Sequence, residues 1–338
     1  MNIKRLTALL LAAVLIVSLG ACSLLGGESS ETSQETSASE SSEPEPVDPN
    51  WPVTIGETQV TAKPEKVVCL SPELTEHIGD LGMLDRLAAV SDYCDWPEEA
   101  GSMEKAGTAQ APNYDEIDKL SPDYVILQGQ LAESDLVEMQ QRNITVVSFP
   151  SAASTDEIYE LLRELCLFFD GKEDGADGAE ALIEKYTSAL DEITSAVKTY
   201  KETASAAKSG AYVRVLDYTM ATGDTMEGTL LVSVVGLDSP ADGMTGWNYP
   251  EESWADFKAD ILFVNKDIVI KDLEQDANYK GLTATYNDAV YQVDMDVVAR
   301  GGLRMLDILR QMAVTAWPEA FPDEEPLSPA YPSIYKEA

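Results

Sequence analysis

One histidine stands in 338 residues, and only 23 lysines and arginines face 60 aspartates and glutamates. Each shortage excludes a class of function. His77 lies in a helix-like stretch with no Gly-x-Ser-x-Gly motif near it, so a hydrolase triad lacks its base, and a cell-surface hydrolase is the weaker rival reading. The same scarcity removes the preferred imidazole ligands of a zinc or manganese carrier. A formal net charge of −37 repels phosphate backbones and anionic lipid heads, which argues against nucleic acid and against electrostatic docking to membranes. Cys69, Cys94 and Cys166 show no Cys-x-x-Cys spacing. One disulfide with a free thiol and three free thiols both stay open. Carboxylate pairs such as Glu98-Glu99 and Glu251-Glu252 read as solvated faces. No catalytic residue, intrinsic cofactor or direct metal ligand is expected.

Long apolar runs are also missing, with one exception. A cationic start at Lys4-Arg5 leads into a mostly apolar stretch over 6–19 and then Leu19-Gly20-Ala21-Cys22. A membrane span needs about 20 apolar residues, so this shorter run reads as an export signal over 1–21. The Leu-Gly-Ala-Cys arrangement resembles the bacterial lipoprotein box, which implies that Cys22 receives a lipid and anchors an extracytoplasmic protein to the cell membrane. Residues 23–50 hold eight serines, seven acids and no base. Such a segment buries too little apolar surface to offset its ordering entropy, so 22–50 is read as the lipidated cysteine and a flexible tether.

What remains is patterned. Residues 67–70 form a short apolar run ending at Ser71-Pro72, and Leu74, Ile78 and Leu81 follow at helical spacing: strand, turn, helix. The alternation recurs, with strands over 87–90, 124–127 and 144–149 and helices over 114–120 and 131–141. Strands separated by helices pair in parallel through crossovers, giving an N-terminal α/β lobe over 51–152. Ser154-Thr155-Asp156-Glu157 is a capping-box signature and predicts a helix carrying Ile158, Leu161, Leu162, Leu165, Phe168 and Phe169 on one side. The glycines and acids of 170–178 predict a loop, and Leu182 to Val197 at intervals of three and four predict a second helix ending near Tyr200. These helices occupy 153–200. A second α/β lobe covers 201–322. It begins with a polar link over 201–209 and has strands over 211–216, 261–265 and 289–293, a helix or buried strand over 229–235, and a closing helix over 303–316. A proline-rich tail follows over 323–338.

Several local patterns coincide in order. They are Lys63-Pro64-Glu65-Lys66-Val67-Val68-Cys69-Leu70-Ser71-Pro72-Glu73-Leu74-Thr75-Glu76, Asp92-Tyr93-Cys94-Asp95-Trp96-Pro97, Pro112-Asn113-Tyr114-Asp115, Leu120-Ser121-Pro122-Asp123-Tyr124, and Tyr249-Pro250-Glu251-Glu252-Ser253-Trp254 ahead of Ala259-Asp260-Ile261. Over about 63–317 the chain resembles the substrate-binding lipoproteins of ABC importers that capture ferric siderophores, haem and cobalamin. The resemblance implies an α/β fold of two Rossmann-like lobes joined by a single long helix, class III periplasmic-binding-protein-like. It further implies a monomer that takes its ligand in the cleft between the lobes and delivers it to an ABC permease and its ATPase. A sensor lipoprotein of the same fold stays open beside transport.

In open α/β sheets the loops beyond the strand C-termini form the ligand crevice. That rule marks Ser71, Tyr93, Trp96, Gln128, Trp247, Tyr249 and Arg300 as candidate ligand-binding residues, the aromatics offering flat faces with polar tips. Among those loops Arg300 is the only base, with Arg304 close behind. A trianionic catecholate chelate needs several bases, so a neutral ferric hydroxamate siderophore or a corrinoid fits better. The segment around Tyr93 looks like the cobalamin branch, whereas Thr108-Ala109-Gln110-Ala111 lacks an aromatic which that branch often places there, and both ligands stay open. The resemblance also implies one docking carboxylate per lobe for permease arginines, here Asp115 and Glu252.

Overall fold

The computed structural model describes residues 48–330. The expected signal peptide, Cys22, most of the tether and the end of the tail lie outside the described residues. Within them, β1 (Val53–Ile55) and β2 (Thr58–Val60) form a hairpin. Then come β3 (Val67–Cys69), α1 (Pro72–Asp80), β4 (Leu87–Val90), α2 (Glu98–Gly101) and the small hairpin of β5 (Gly107–Thr108) and β6 (Ala111–Pro112). The lobe continues with α3 (Tyr114–Leu120), β7 (Tyr124–Gln128), α4 (Glu133–Gln141) and β8 (Thr145–Phe149). Its sheet runs β4-β3-β7-β8 and is parallel throughout, with Val67 opposite Tyr124 and Cys69 opposite Ile126. A strand covered on both faces needs apolar residues at every position, and β3 is buried at all three of its residues.

α5 (Thr155–Asp174) and α6 (Glu180–Ala204) lead to the second lobe. That lobe holds β9 (Gly210–Val215), β10 (Thr219–Met220), α7 (Met226–Ser233), β11 (Ile261–Asn265), α8 (Ile270–Gln275), α9 (Thr283–Tyr286), β12 (Val290–Val293), α10 (Met295–Arg300) and α11 (Leu303–Ala316). Its sheet order is β10-β9-β11-β12, with β9, β11 and β12 parallel and β10 antiparallel at the edge. Among the described residues no helix is long and apolar enough to cross a membrane.

The expected capping motif opens α5. The Ser154 hydroxyl accepts from Glu157 N at 3.3 Å, while the Glu157 carboxylate accepts from Ala153 N at 2.6 Å, one residue earlier than the usual reciprocal bond. Leu161, Leu165, Phe168 and Phe169 on α5 enter the core of the first lobe, and Ile158, Leu162 and Cys166 enter the core of the second. One helix therefore belongs to both cores, which is what a rigid connector requires. The loop expected over 170–178 is instead helical to Asp174 across a kink at Gly171 (φ 81°). Asn50, more than a hundred residues away, supplies the missing acceptors: its carbonyl takes Lys172 N at 3.2 Å and its side chain takes Glu173 N at 2.8 Å. The polar link expected over 201–209 is shortened because α6 runs on to Ala204.

A seam joins the lobes along α1. Glu76, wholly buried, takes Arg304 of α11 through two bonds of 3.0 and 2.5 Å, and Arg300 of α10 lies 3.7 Å away. One turn on, the Asp80 carboxylate accepts from Leu303 N at 2.8 Å and so caps α11 from the opposite lobe. Tyr186 of α6 donates to Gly301 O at 2.9 Å. Gly302 is held to glycine by this packing, since a Cβ there would sit 2.3 Å from Glu76 Oε1.

Candidate functional site

Beyond the C-terminal ends of the first sheet opens a cavity of about 340 Å³. Its wall is polar: Ser71, Glu73, Ser91, Thr108, Gln110 and Gln128, with Tyr93 at the rim. Ser71 is there because it caps α1, its hydroxyl accepting from Leu74 N at 3.4 Å, ahead of Pro72 at the first helical position. The same hydroxyl donates to the Glu73 carboxylate at 2.8 Å. Gln128, the last residue of β7, donates its amide to Pro150 O at 3.2 Å. Tyr93 is 70 % exposed, on a loop tied to the β5–β6 hairpin through Asp92, whose backbone N–H donates to Gly107 O at 2.9 Å.

A smaller space of about 100 Å³ continues below and reaches the second lobe. Glu73, Gln128 and Ser151 line both spaces, and Met226, Arg300 and Gly301 close the floor from α7 and α10. The cleft therefore has walls from both lobes and meets the start of the connector at Ile158. Arg300 is already engaged by Asp95 and, more distantly, by Glu76. Arg300, expected in a strand-end loop, instead ends the short helix α10, which is how it reaches the floor. His77 also lines the floor; burial pushes its imidazole down to about 4, against a hydrogen bond to the Arg300 main chain.

Ser71, Tyr93, Gln128 and Arg300 thus share the cleft, and two aromatics require correction. Trp96 lies outside it. Its loop crosses α1 with Pro97 against Gly79, placing the indole under the Arg304 guanidinium at 4.7 Å, beside a separate surface cavity lined by Asp80, Lys185 and Arg310. Tyr249 is 4 % exposed and forms part of the second lobe's core, because Trp254 and Phe257 fold back and stack at 4.4 Å and receive its ring edge-on. Trp247 is half-buried in a left-handed conformation (φ 61°), its backbone N–H donating to Thr222 Oγ1 at 3.2 Å. Its ring meets Tyr212 edge-on and carries the Arg214 guanidinium at 4.9 Å.

Sequence reasoning passed over Glu73, Thr108 and Gln110, which line the main cavity. Asp115, in the first turn of α3, and Glu252, in the turn after Pro250, are both exposed and also without an ion pair among the described residues. Cys69, Cys94 and Cys166 are all free and buried.

Comparison with known proteins places this geometry. The family model described as periplasmic binding protein matches residues 67–297. The chain is 26% identical over 327 residues to an uncharacterised ABC transporter substrate-binding lipoprotein of Bacillus subtilis, covering 93% of this chain and 96% of that one. It is 29% identical over 126 residues to the vitamin B12-binding protein of Vibrio parahaemolyticus, covering 37% of this chain and 45% of the relative. Among solved structures, a possible iron-binding, periplasmic solute-binding protein of Staphylococcus epidermidis superposes with a TM-score of 0.63 at 21% identity, over 75% of this chain and 98% of that one.

Proposed function

The chain belongs to the periplasmic binding protein family, and from that premise we propose that it captures a compact, oxygen-rich metal chelate for an ABC permease and its ATPase. The observation that carries this reading is the cleft: polar walls from the strand ends of one lobe, a floor from the other, and one arginine that carboxylates already hold. A trianionic chelate would meet no free cation on that floor, whereas a neutral ferric hydroxamate finds hydroxyl and amide groups from Ser71, Ser91, Thr108 and Gln110. The volume of about 340 Å³ lies near the lower end of small-molecule sites, roughly 300–1,000 Å³, which also favours a compact ligand. A corrinoid is the second reading, favoured by the likeness to a vitamin B12-binding protein; it would sit partly outside the cavity. Titrating the purified protein with ferric hydroxamates and corrinoids, followed by tryptophan fluorescence, tests both. Saturable binding of one class supports the assignment, and no response to either rejects it.

Delivery needs a membrane address and a grip on the permease. Cys22 supplies the first by carrying a lipid, so Cys22→Ala should move the protein from the membrane to the soluble fraction. Retention in the membrane would reject the anchor. Asp115 and Glu252, one per lobe, supply the second by pairing with permease arginines, the distance between them fixing orientation as well as attraction. The double variant Asp115→Arg with Glu252→Arg should abolish uptake in cells and leave ligand affinity in solution unchanged. Normal uptake by that variant would reject the docking pair.

A further inference from the structure

The cleft floor is richer in acceptors than in donors. Gln128 uses its amide nitrogen on Pro150 O, which leaves Oε1 toward the cleft, 3.5 Å from Ser71 Oγ. The Glu73 carboxylate lines both the main cavity and the floor and takes the Ser71 hydroxyl at 2.8 Å. It has no ion pair among the described residues. His77 lines the floor as well, 1 % exposed, and its Nδ1 has no hydrogen-bond partner among the described residues. Burial keeps the ring neutral, so that nitrogen is available as an acceptor when the other ring nitrogen carries the proton. The nearby cations do not redress the balance. Arg300 and Arg304 are held by Asp95 and Glu76, and Asp80 adds a further carboxylate behind them.

We propose that the cleft selects a cargo bearing a protonated amine, which docks on the Glu73 carboxylate. This rests on the ligand-capture reading above and names the chemistry of its specificity. A carboxylate with no ion pair among the described residues, in a partly desolvated cleft, rewards a cation more than a neutral amide, because the charge-assisted bond is the stronger one. Glu73 is not needed to hold the lobes together, since the seam contacts belong to Glu76 and Asp80 farther along α1. A substitution there changes the cleft and leaves the seam intact.

The test is a matched pair of ferric trihydroxamates: a linear chelate ending in a primary ammonium, and the same chelate N-acetylated. Both are titrated into the purified protein and into Glu73→Gln, with thermal melts confirming that the variant folds. The ammonium chelate should bind the parent at least tenfold more tightly than the acetylated one, and Glu73→Gln should erase that preference. Equal binding of the two chelates by the parent, or a preference that survives in Glu73→Gln, overturns the proposal and leaves ligand capture standing. Binding of neither chelate overturns it together with the hydroxamate reading.

Discussion

Helix α1 meets two environments within nine residues. At its N-terminal end Ser71 and Glu73 face an open cavity, and their polar atoms are answered mainly by each other. Toward its C-terminal end Glu76 and Asp80 are enclosed against the other lobe and answered by a guanidinium and a helix N–H. Both ends carry a carboxylate, and the partners differ. Where charges are matched across the lobes, removing one leaves its partner uncompensated in a low-dielectric place. Where they are unmatched, removal leaves the fold alone and changes what the cleft accepts. The seam accounts for shape, and the cleft for selectivity.

Glu76→Ala should break this contrast most severely. It strips the buried partner from Arg304 and the more distant of two partners from Arg300, and the loss should be about 3–5 kcal/mol of unfolding free energy in urea titrations. A loss below about 1 kcal/mol would mean that the seam does not hold the lobes.

The next effect in size concerns His77 and pH. Burial lowers its folded pKa to about 4 from 6.5, so the stability that comes with its neutral form is present above pH 6.5 and is lost as pH falls toward 4. Asp80 acts in the opposite sense: burial raises it from 3.8 to about 6, so its contribution is present below pH 4 and is lost as pH rises through 6. The two partly cancel in the parent. His77→Gln removes one side and should gain about 2–3 kcal/mol relative to the parent between pH 7 and pH 4. Parallel stability curves for variant and parent would show that the imidazole titrates normally.

Tyr93→Ala sharpens the contrast from the cleft side with the smallest expected change in stability, within about 0.5 kcal/mol, because the ring is mostly exposed. Ligand affinity should nevertheless fall, by about 1–3 kcal/mol if the ring covers the cargo. Melting and fluorescence titration on one sample separate the two. A destabilised variant with unchanged affinity would place Tyr93 in the fold rather than the site.

Much of the fold could be read because its signals are local. Ser71-Pro72 marked the start of α1, the apolar periodicity of 114–120 and 303–316 matched α3 and α11 in full, and β3, β7 and β11 showed as unbroken apolar runs. The helical turn past Gly171 could not be read, because the groups that cap it come from Asn50. α8, α9 and α10 were missed because four to six residues carry no measurable period. The site was legible where position on a strand end decides it, as for Ser71 and Gln128. It was not legible where an aromatic in a loop can turn inward, as Tyr249 does against Trp254 and Phe257, or sideways, as Trp96 does onto Arg304. Glu73 was hidden for another reason: in a chain with 60 acids, one more carboxylate carries no signal until its lack of a partner is seen.

Native mass spectrometry of the protein isolated from an iron- and cobalamin-replete host tests the central claim most directly. The account predicts one metal chelate bound per chain, and its loss from Gln110→Trp, which fills the cavity from an exposed position without touching the seam. A chain that carries no small molecule, or a bound mass that persists unchanged in Gln110→Trp, would contradict it.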